Sequence, residues 1–111
     1  MANQFFPSLV YLSASTIYLN VVSAVEAILE VRNRLGLHLR AAAALAQAAK
    51  AFNSTIMVSS GDQEVSGKSV TGLIMLGAAQ GTQLKIKAQG DDAEQAIGTL
   101  KKLFADKFGE E

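Results

Sequence analysis

The sequence contains no cysteine, one proline and a single histidine, His38, among its 111 residues. Without cysteine the chain has no disulfide, no thiolate nucleophile and no cysteine-based zinc site. One histidine is too few for a histidine-rich metal site, and no G-x-S-x-G elbow is present to support a serine hydrolase. We therefore expect no metal and no cofactor, and His38 becomes the main candidate for chemistry.

Negative charge is also absent from one long stretch. The whole chain has ten basic and ten acidic residues, so its net charge does not indicate a nucleic-acid or membrane-surface partner. From Val31 to Gly61, however, there is no Asp or Glu, whereas the same stretch contains several basic residues. This imbalance predicts that the region around His38 attracts anions.

The N-terminal part of the chain differs from the rest. Residues 5–25 carry no charge, and a stretch of this length could cross a bilayer, which takes about 20 apolar residues. Ser, Thr and Asn interrupt it, and no Lys or Arg precedes it as a secretory signal requires. We interpret residues 1–24 as an N-terminal extension and residues 25–111 as one folded domain. A membrane anchor or signal stays open as the alternative.

Strands with one buried face are predicted at three places, because apolar and polar residues alternate there. These segments run from Glu26 to Arg32, from Ser54 to Ser60 and from Thr82 to Gln89. A short run from Gln63 to Ser66 follows Ser60-Gly61-Asp62, whose residue types favour a hairpin turn. We therefore expect a fourth strand after that turn.

Three further segments have helical spacing. The first begins at His38, and its predicted apolar face consists of Ala41, Ala44, Leu45, Ala48, Ala49 and Phe52. The second is short, with Ser69 as its N-cap and an end near Gly77. The third opens at Asp91, which forms a predicted capping box with Glu94. Its predicted buried stripe is Ala93, Ile97, Leu100, Phe104 and Phe108.

The order of these elements is βαββαβα. Helices that are segregated from mostly hairpin-linked strands indicate an α+β open sandwich, in which the helices cover one face of the sheet.

His38 lies where the first helix is predicted to begin. The first amides of a helix have no intrahelical partner and lie at the positive end of the dipole, so they can bind an anion. Arg40 follows two residues later and can offer a charged fork to phosphate oxygens. A lone histidine at a helix start is also common as a surface or capping residue, and spacing alone leaves both interpretations open.

Gly67-Lys68-Ser69 has the residue types that end a nucleotide-binding P-loop. The spacing is wrong, because five residues instead of four separate Gly61 from Gly67. Those residues are also predicted to form a strand. We therefore reject a P-loop and keep Ser69 as a helix cap.

Two segments resemble the signatures of the HPr family, the histidine phosphocarriers of the phosphoenolpyruvate-dependent phosphotransferase system. The segment from Asn33 to Ala43, NRLGLHLRAAA, resembles the active-site signature. The segment from Val65 to Leu73, VSGKSVTGL, resembles the regulatory-serine signature. Their order and spacing also fit, and the resemblance covers about Glu26 to the C-terminus.

The resemblance implies a bacterial, cytoplasmic phosphoryl carrier rather than a stand-alone enzyme. His38 would accept the phosphoryl group from enzyme I and pass it to an EIIA-type domain, and Arg40 would stabilise it. Ser69 would match the serine that an HPr kinase/phosphorylase modifies. No nucleic-acid or membrane partner is implied. The family fold is an open-faced β-sandwich with four antiparallel strands under three helices, which agrees with the predicted order.

A partner surface is expected around His38, made of small apolar patches that allow transient docking. Leu39 replaces the usual small residue after the histidine, so this surface is expected to be bulkier than in typical members. Ala41 replaces a common proline, so the start of the helix is expected to differ slightly. The candidate contact residues are Leu39, Ala43, Gln47, Val70, Thr71 and Ile74.

Two alternatives stay open. The first is a nitrogen-branch carrier, whose phosphorylation state regulates metabolism; the closing segment from Leu103 to Glu111 resembles that branch. The second is a non-catalytic α+β module that binds a small ligand or another protein, in which His38 is incidental.

Overall fold

The computed structural model describes residues 24–111, so the predicted extension lies outside the described residues apart from Ala24. The predicted order βαββαβα is confirmed. The elements are β1 (Ala24–Glu30), α1 (Leu39–Lys50), β2 (Thr55–Ser60), β3 (Gln63–Ser66), α2 (Val70–Met75), β4 (Gln83–Gln89) and α3 (Ala93–Ala105), followed by a short 3-10 helix (Lys107–Gly109). Within this part of the chain no helix is both long and apolar enough to cross a membrane.

The four strands form one antiparallel sheet in the order β1-β4-β2-β3. Ile86 of β4 lies at its centre, opposite Ala27 of β1 on one side and Val58 of β2 on the other. Val58 in turn pairs with Val65 of β3. Because side chains alternate between the two faces of a strand, these four paired residues all point towards the same side.

The helices cover that side of the sheet and leave the other side open. Leu84, Ile86 and Ala88 of β4 are buried, whereas Lys85 is exposed, and Ile28 of β1 is exposed on the open face. The α+β open-faced sandwich is thus confirmed. Its interior is one cluster of apolar side chains from the sheet and from all three helices.

The hairpin between β2 and β3 has the predicted turn. Ser60 pairs with Gln63, so Gly61 and Asp62 form a two-residue connection. Gly61 has a φ of 59°, in the left-handed region that favours glycine. The residues between Gly61 and Gly67 therefore belong mostly to a strand, which agrees with the rejection of a P-loop.

The buried face of helix α1 is rotated relative to the predicted one. Ala41, Leu45 and Ala49 are buried as expected. Ala42 and Ala46 are also buried, whereas Ala44, Ala48 and Phe52 are only half-buried. The reason is that α1 packs against both α2 and α3, and alanine fits either the core or the surface. Alanine spacing therefore defines the buried face of a helix poorly.

The predicted capping box of the last helix is wrong. Asp92, not Asp91, precedes α3, and its side chain does not cap the helix. Instead the Asp92 carboxylate accepts hydrogen bonds from the backbone N–H of Asn53 at 2.8 Å and of Ser54 at 2.9 Å, and from the Ser54 hydroxyl. These bonds, the Ser54 hydroxyl first among them, lower the pKa of Asp92. The carboxylate thus joins the start of α3 to the loop before β2.

The predicted buried stripe of the last helix is confirmed, although the helix is shorter than expected. All five predicted residues are buried, from Ala93 to Phe108. Helix α3 ends at Ala105, however, and Phe108 belongs to the 3-10 turn that follows. The chain changes direction between the two, and this brings the last residues towards α1.

Candidate functional site

A tight turn before α1 fixes the position of His38. Gly36 donates its N–H to the Asn33 carbonyl at 3.1 Å, and Leu37 donates to the Ala78 carbonyl at 2.9 Å. Gly36 has a φ of 73°, and a Cβ at this position would lie 2.7 Å from the Ala78 oxygen. The turn therefore needs a residue without a side chain, both for its backbone conformation and for its contact with the neighbouring loop.

We expect Gly36→Ala to lower the free energy of unfolding by about 2–3 kcal/mol, because it adds left-handed strain and a backbone clash. Chemical denaturation monitored by circular dichroism measures the loss. Gly98→Ala is the matched control, since Gly98 lies in α3 and an added Cβ would have nothing within 4 Å. This control should be stabilised by about 0.5–1 kcal/mol. Equal stability of Gly36→Ala and the wild-type chain would contradict the steric role of Gly36.

His38 is the N-cap of α1, one residue before the helix itself. Its Nδ1 accepts a hydrogen bond from the Arg40 backbone N–H at 3.3 Å. Its carbonyl oxygen accepts the first intrahelical bond, from the Ala42 N–H at 2.8 Å. The imidazole side chain is 27% exposed, so solvent or a partner can reach the ring. The predicted position at the helix start is therefore correct, and the ring is fixed by its cap.

A carboxylate that the sequence did not predict lies against His38. The Glu110 Oε2 atom is 2.7 Å from the His38 Nε2 atom and 3.2 Å from the Arg40 Nε atom. The other carboxylate oxygen, Oε1, accepts a hydrogen bond from the buried Asn33 amide at 2.9 Å. The sequence around His38 contains no acidic residue, but the folded chain brings Glu110, 72 positions away, into contact with the ring.

The backbone after α3 explains how Glu110 reaches this site. Lys107 and Phe108 have φ values of 56° and 57°, which cost about 1 kcal/mol or more each for residues with a side chain. Burial of Phe108 against Phe104, with ring centroids 4.9 Å apart, offsets part of this cost. Beyond this bend the Arg34 N–H donates to the Glu111 carbonyl at 3.0 Å, which holds the segment beside the 33–36 turn.

The contacts of Glu110 favour its ionised form. The hydrogen bond with His38 contributes most, followed by that with Asn33 and, more weakly, Arg40; together they lower the pKa of Glu110 to about 2. The side chain is 13% exposed. Glu110 is therefore a carboxylate across the pH range in which the protein would function.

Folding should gain from Glu110 only while its side chain is ionised. Because the folded pKa, about 2, is below the ordinary value of 4.5, this stabilisation is present above pH 4.5 and is lost as the pH falls towards 2. We expect the wild-type chain to be more stable than Glu110→Gln at neutral pH, and this difference to shrink as the pH falls towards 2 and to vanish below it. Urea unfolding of both proteins at a series of pH values measures it. A difference that is independent of pH would contradict the ionic origin.

Arg40 lies beside His38, as the signature predicts, and its side chain is 73% exposed. It borders a surface cavity of about 530 Å³, which is lined by Arg34, Leu35, Arg40, Phe108, Gly109, Glu110 and Glu111. The guanidinium is thus accessible from solvent, although its Nε contacts Glu110. This combination would let an incoming anion compete with Glu110 for Arg40.

Ser69 is the N-cap of α2, as predicted. Its hydroxyl oxygen accepts a hydrogen bond from the Gly72 N–H at 3.1 Å and lies 3.3 Å from the Thr71 hydroxyl. The neighbouring Lys68 ammonium donates to the Phe52 carbonyl, just beyond the end of α1, at 2.8 Å. The loop that contains Ser69 is therefore tied to the C-terminal end of α1. It shares no hydrogen-bond partner with His38 among the contacts described above.

The predicted partner residues are largely accessible. Leu39 is 65% exposed and Ile74 is 39% exposed, and both are large apolar side chains. Ala43, Gln47 and Thr71 are exposed, whereas Val70 is half-buried. Met75, 73% exposed at the end of α2, was not among the predicted residues. The helical pattern could have predicted this exposure, because Met75, like Ile74, lies outside the face of α2 on which Leu73 is buried.

The comparison with known families decides what kind of protein carries this site. The family model described as PTS HPr component phosphorylation site matches residues 25–106. The chain belongs to the HPr family. The resemblance of the two signatures is thereby confirmed, and the chain is a phosphocarrier of the phosphotransferase system.

Individual HPr relatives agree with this assignment. The phosphocarrier protein HPr of Xylella fastidiosa Temecula1 is 40% identical over 83 residues, which cover 75% of this chain and 93% of that protein. The phosphocarrier protein NPr of Shewanella violacea is 38% identical over 78 residues, which cover 70% of this chain and 86% of that protein. A crystal structure of HPr-C-His from Thermoanaerobacter tengcongensis aligns with a TM-score of 0.76 and 44% identity, covering 78% of this chain and 98% of that one.

Proposed function

We propose that this HPr-family chain carries the phosphoryl group on His38, accepts it from enzyme I and passes it to EIIA-type domains. The observation that supports this assignment most is the capping position of His38, with Nδ1 directed at the amide end of α1. A phosphoryl group on Nδ1 would lie beside free amides of the first helical turn and beside Arg40. The donor and acceptor proteins would supply the rest of the catalytic environment.

The experiment that tests this proposal is phosphorylation with phosphoenolpyruvate and enzyme I. We expect one phosphoryl group per chain, labile in acid and stable in alkali, as a phosphoramidate is. An acceptor EIIA domain should then remove the label from the carrier. No labelling, or a label that is stable in acid, would refute the assignment.

The same proposal assigns a docking surface, a domain boundary and a cellular location. Both partners would contact the same docking surface, since a carrier must present one surface to each in turn. The residues of this surface are Leu39, Ala43, Gln47, Val70, Thr71 and Ile74. Residues 25–111 would form the carrier domain and residues 1–24 an extension, and the family match to residues 25–106 supports this division. We assign the carrier to the cytoplasm, where phosphoenolpyruvate is produced.

A nitrogen-branch role is the second candidate, because a relative named NPr matches this chain nearly as well as those named HPr. We expect the two roles to differ in the enzyme I that donates the phosphoryl group. Initial phosphorylation rates with each type of enzyme I, measured side by side, distinguish them. We expect the cognate donor to be faster by at least about tenfold, equivalent to about 1.4 kcal/mol of selective binding.

Ser69 is proposed as a second, regulatory phosphorylation site. Its hydroxyl caps α2, so a phosphate there would lie at the helix N-terminus, where negative charge is favourable. We expect an HPr kinase with ATP to add an acid-stable phosphate to the wild-type chain and none to Ser69→Ala. Ser66→Ala is the matched control, since its exposed hydroxyl lies three positions away and outside the proposed docking surface, and this variant should be labelled like the wild-type chain. Equal labelling of wild type and Ser69→Ala would exclude Ser69 as the acceptor.

A further inference from the structure

The two nitrogens of the His38 ring have partners of opposite kinds. Nδ1 faces the Arg40 backbone N–H at 3.3 Å, and this group can only donate. Nε2 lies 2.7 Å from Glu110 Oε2, and an ionised carboxylate can only accept. Both contacts therefore require the same neutral tautomer, with the proton on Nε2 and the lone pair on Nδ1.

Glu110 is held in place from several sides. Asn33 donates to its Oε1 atom at 2.9 Å, and the same Asn33 amide donates to the Gly36 carbonyl at 2.7 Å. The carboxylate is thus tied to the turn that also positions His38. The shorter distance and the negative charge make the Glu110 contact with the ring stronger than the neutral contact with Arg40 N–H. The proton on Nε2 is therefore held mainly by Glu110.

We propose that Glu110 is a positioning residue for phosphoryl transfer: it holds the proton on Nε2, presents Nδ1 as the nucleophile and compensates the charge of the phosphorylated ring. This inference deepens the proposed function and rests on it. It assigns a role to a residue outside both family signatures, and it explains why a site for anions contains a carboxylate.

The bonds and charges in this step balance without a separate base. The Nδ1 lone pair forms the bond to phosphorus, and the bond from phosphorus to the donor protein breaks with its electron pair left on the donor. No proton leaves the ring, so the imidazole, with phosphoryl on Nδ1 and hydrogen on Nε2, gains a formal positive charge. Transfer to the acceptor reverses this: the N–P bond breaks, its electron pair returns to Nδ1, and the ring is neutral again.

The Glu110 carboxylate lies where it can stabilise this positive ring. A negative charge about 3–4 Å from a positive one interacts substantially even at the dielectric of a protein surface. Arg40 has the complementary position, because its exposed side chain can leave Glu110 and bind the phosphoryl oxygens. Glu110 then remains with the ring, while Arg40 neutralises the phosphoryl group.

The proposal is tested with Glu110→Gln and Glu110→Ala, with Glu111→Gln as the matched control. Glu111 is exposed and adjacent, and its side chain has no hydrogen bond or ion pair within residues 24–111. The first readout is the ¹⁵N chemical shifts of the His38 ring in unphosphorylated protein, which report the tautomer. We expect only the Nε2–H tautomer in the wild-type chain and in Glu111→Gln, and a detectable Nδ1–H fraction in Glu110→Ala.

The second readout is the equilibrium between the phosphorylated carrier and its phosphorylated donor. Glu110→Gln retains a carbonyl oxygen for Nε2–H but has no charge, so we expect the Nε2–H tautomer to persist. The equilibrium constant for phosphorylation should nevertheless fall about tenfold relative to the wild-type chain. Phosphorus NMR should still find the phosphoryl group on Nδ1 in this variant.

Two results would overturn the proposal. One is a Glu110→Ala spectrum with the wild-type tautomer. The other is a correctly folded Glu110→Gln protein whose phosphorylation equilibrium equals that of Glu111→Gln. The tautomer measurement needs no phosphoryl transfer, so it separates the role of Glu110 from the proposed function itself. If neither the wild-type chain nor any variant takes up phosphate, the proposed carrier function is refuted, whichever tautomer the ring has.

Discussion

His38→Asn is expected to eliminate the acid-labile phosphate that phosphoenolpyruvate and enzyme I place on the wild-type chain. Asparagine has no nucleophilic ring nitrogen, so the rate of phosphoryl uptake should fall by at least about a thousandfold. Its side-chain oxygen can still accept from the Arg40 N–H, because asparagine is among the best N-cap residues. Radiolabel incorporation, followed by acid and alkali treatment, measures the loss.

His38→Ala provides the comparison that separates chemistry from folding. Alanine removes both the nucleophile and the helix cap, and the missing cap costs about 1 kcal/mol of stability. We therefore expect the two variants to be equally inactive and both to lose the ring contact with Glu110, whereas the alanine variant unfolds at the lower denaturant concentration of the two. Acid-labile phosphate that persists in His38→Asn would place the phosphoryl group on another residue and refute the central assignment.

The parts of the fold that were predictable have strong periodicity. In β4 the buried residues Leu84, Ile86 and Ala88 alternate with polar ones, so the pattern determines both the strand and its inward face. In α3 the large side chains Leu100 and Phe104 recur at helical spacing and are buried. Size and polarity change together along these segments, and burial follows from both.

Helix α1 was less predictable for a related reason. A buried face is visible in a sequence only when its residues differ in size or polarity from the others, and most residues of α1 are alanine. The helix itself was evident, since alanine favours helix strongly. Which alanines are buried depends on how α2 and α3 approach it, and this is a property of the tertiary packing.

The contacts of two acidic residues, Asp92 and Glu110, show what the sequence could not predict. Asp91 and Asp92 are adjacent, and the capping pattern selects the first, yet Ser54 and its loop bind the second. Glu110 reaches His38 only because the backbone bends at Lys107 and Phe108, which have left-handed conformations without being glycine. Sequence patterns describe neighbours along a helix or strand, and neither contact is of that kind.

The signature residues, in contrast, were predictable as a unit. His38, its cap and Arg40 lie within three positions, so local helix geometry fixes their relation. The signature does not specify what balances their charge. The carboxylate at this site comes from the other end of the domain, and its position depends on the packing of Phe108 against Phe104.

Arg40→Ala is expected to slow phosphoryl transfer from enzyme I by about a hundredfold, because the guanidinium would no longer stabilise charge on the transferred group. Stability should change little, since the side chain is 73% exposed and Glu110 retains its contacts with His38 and Asn33. Arg40→Lys should recover part of the rate, because lysine restores the charge but not the planar fork. Rapid-quench measurement of single-turnover transfer provides these rates.

Arg34→Ala is the matched control for Arg40. Arg34 lines the same cavity, but its contact with the C-terminal segment is a backbone N–H bond to the Glu111 carbonyl, which alanine preserves. We expect this variant to transfer phosphate within about threefold of the wild-type rate, the range for losing an exposed charge. Equal losses in Arg34→Ala and Arg40→Ala would mean that the general positive field of the cavity drives transfer. A loss confined to Arg40 requires a guanidinium directed at the phosphoryl group, which only the residue beside the His38 ring can provide.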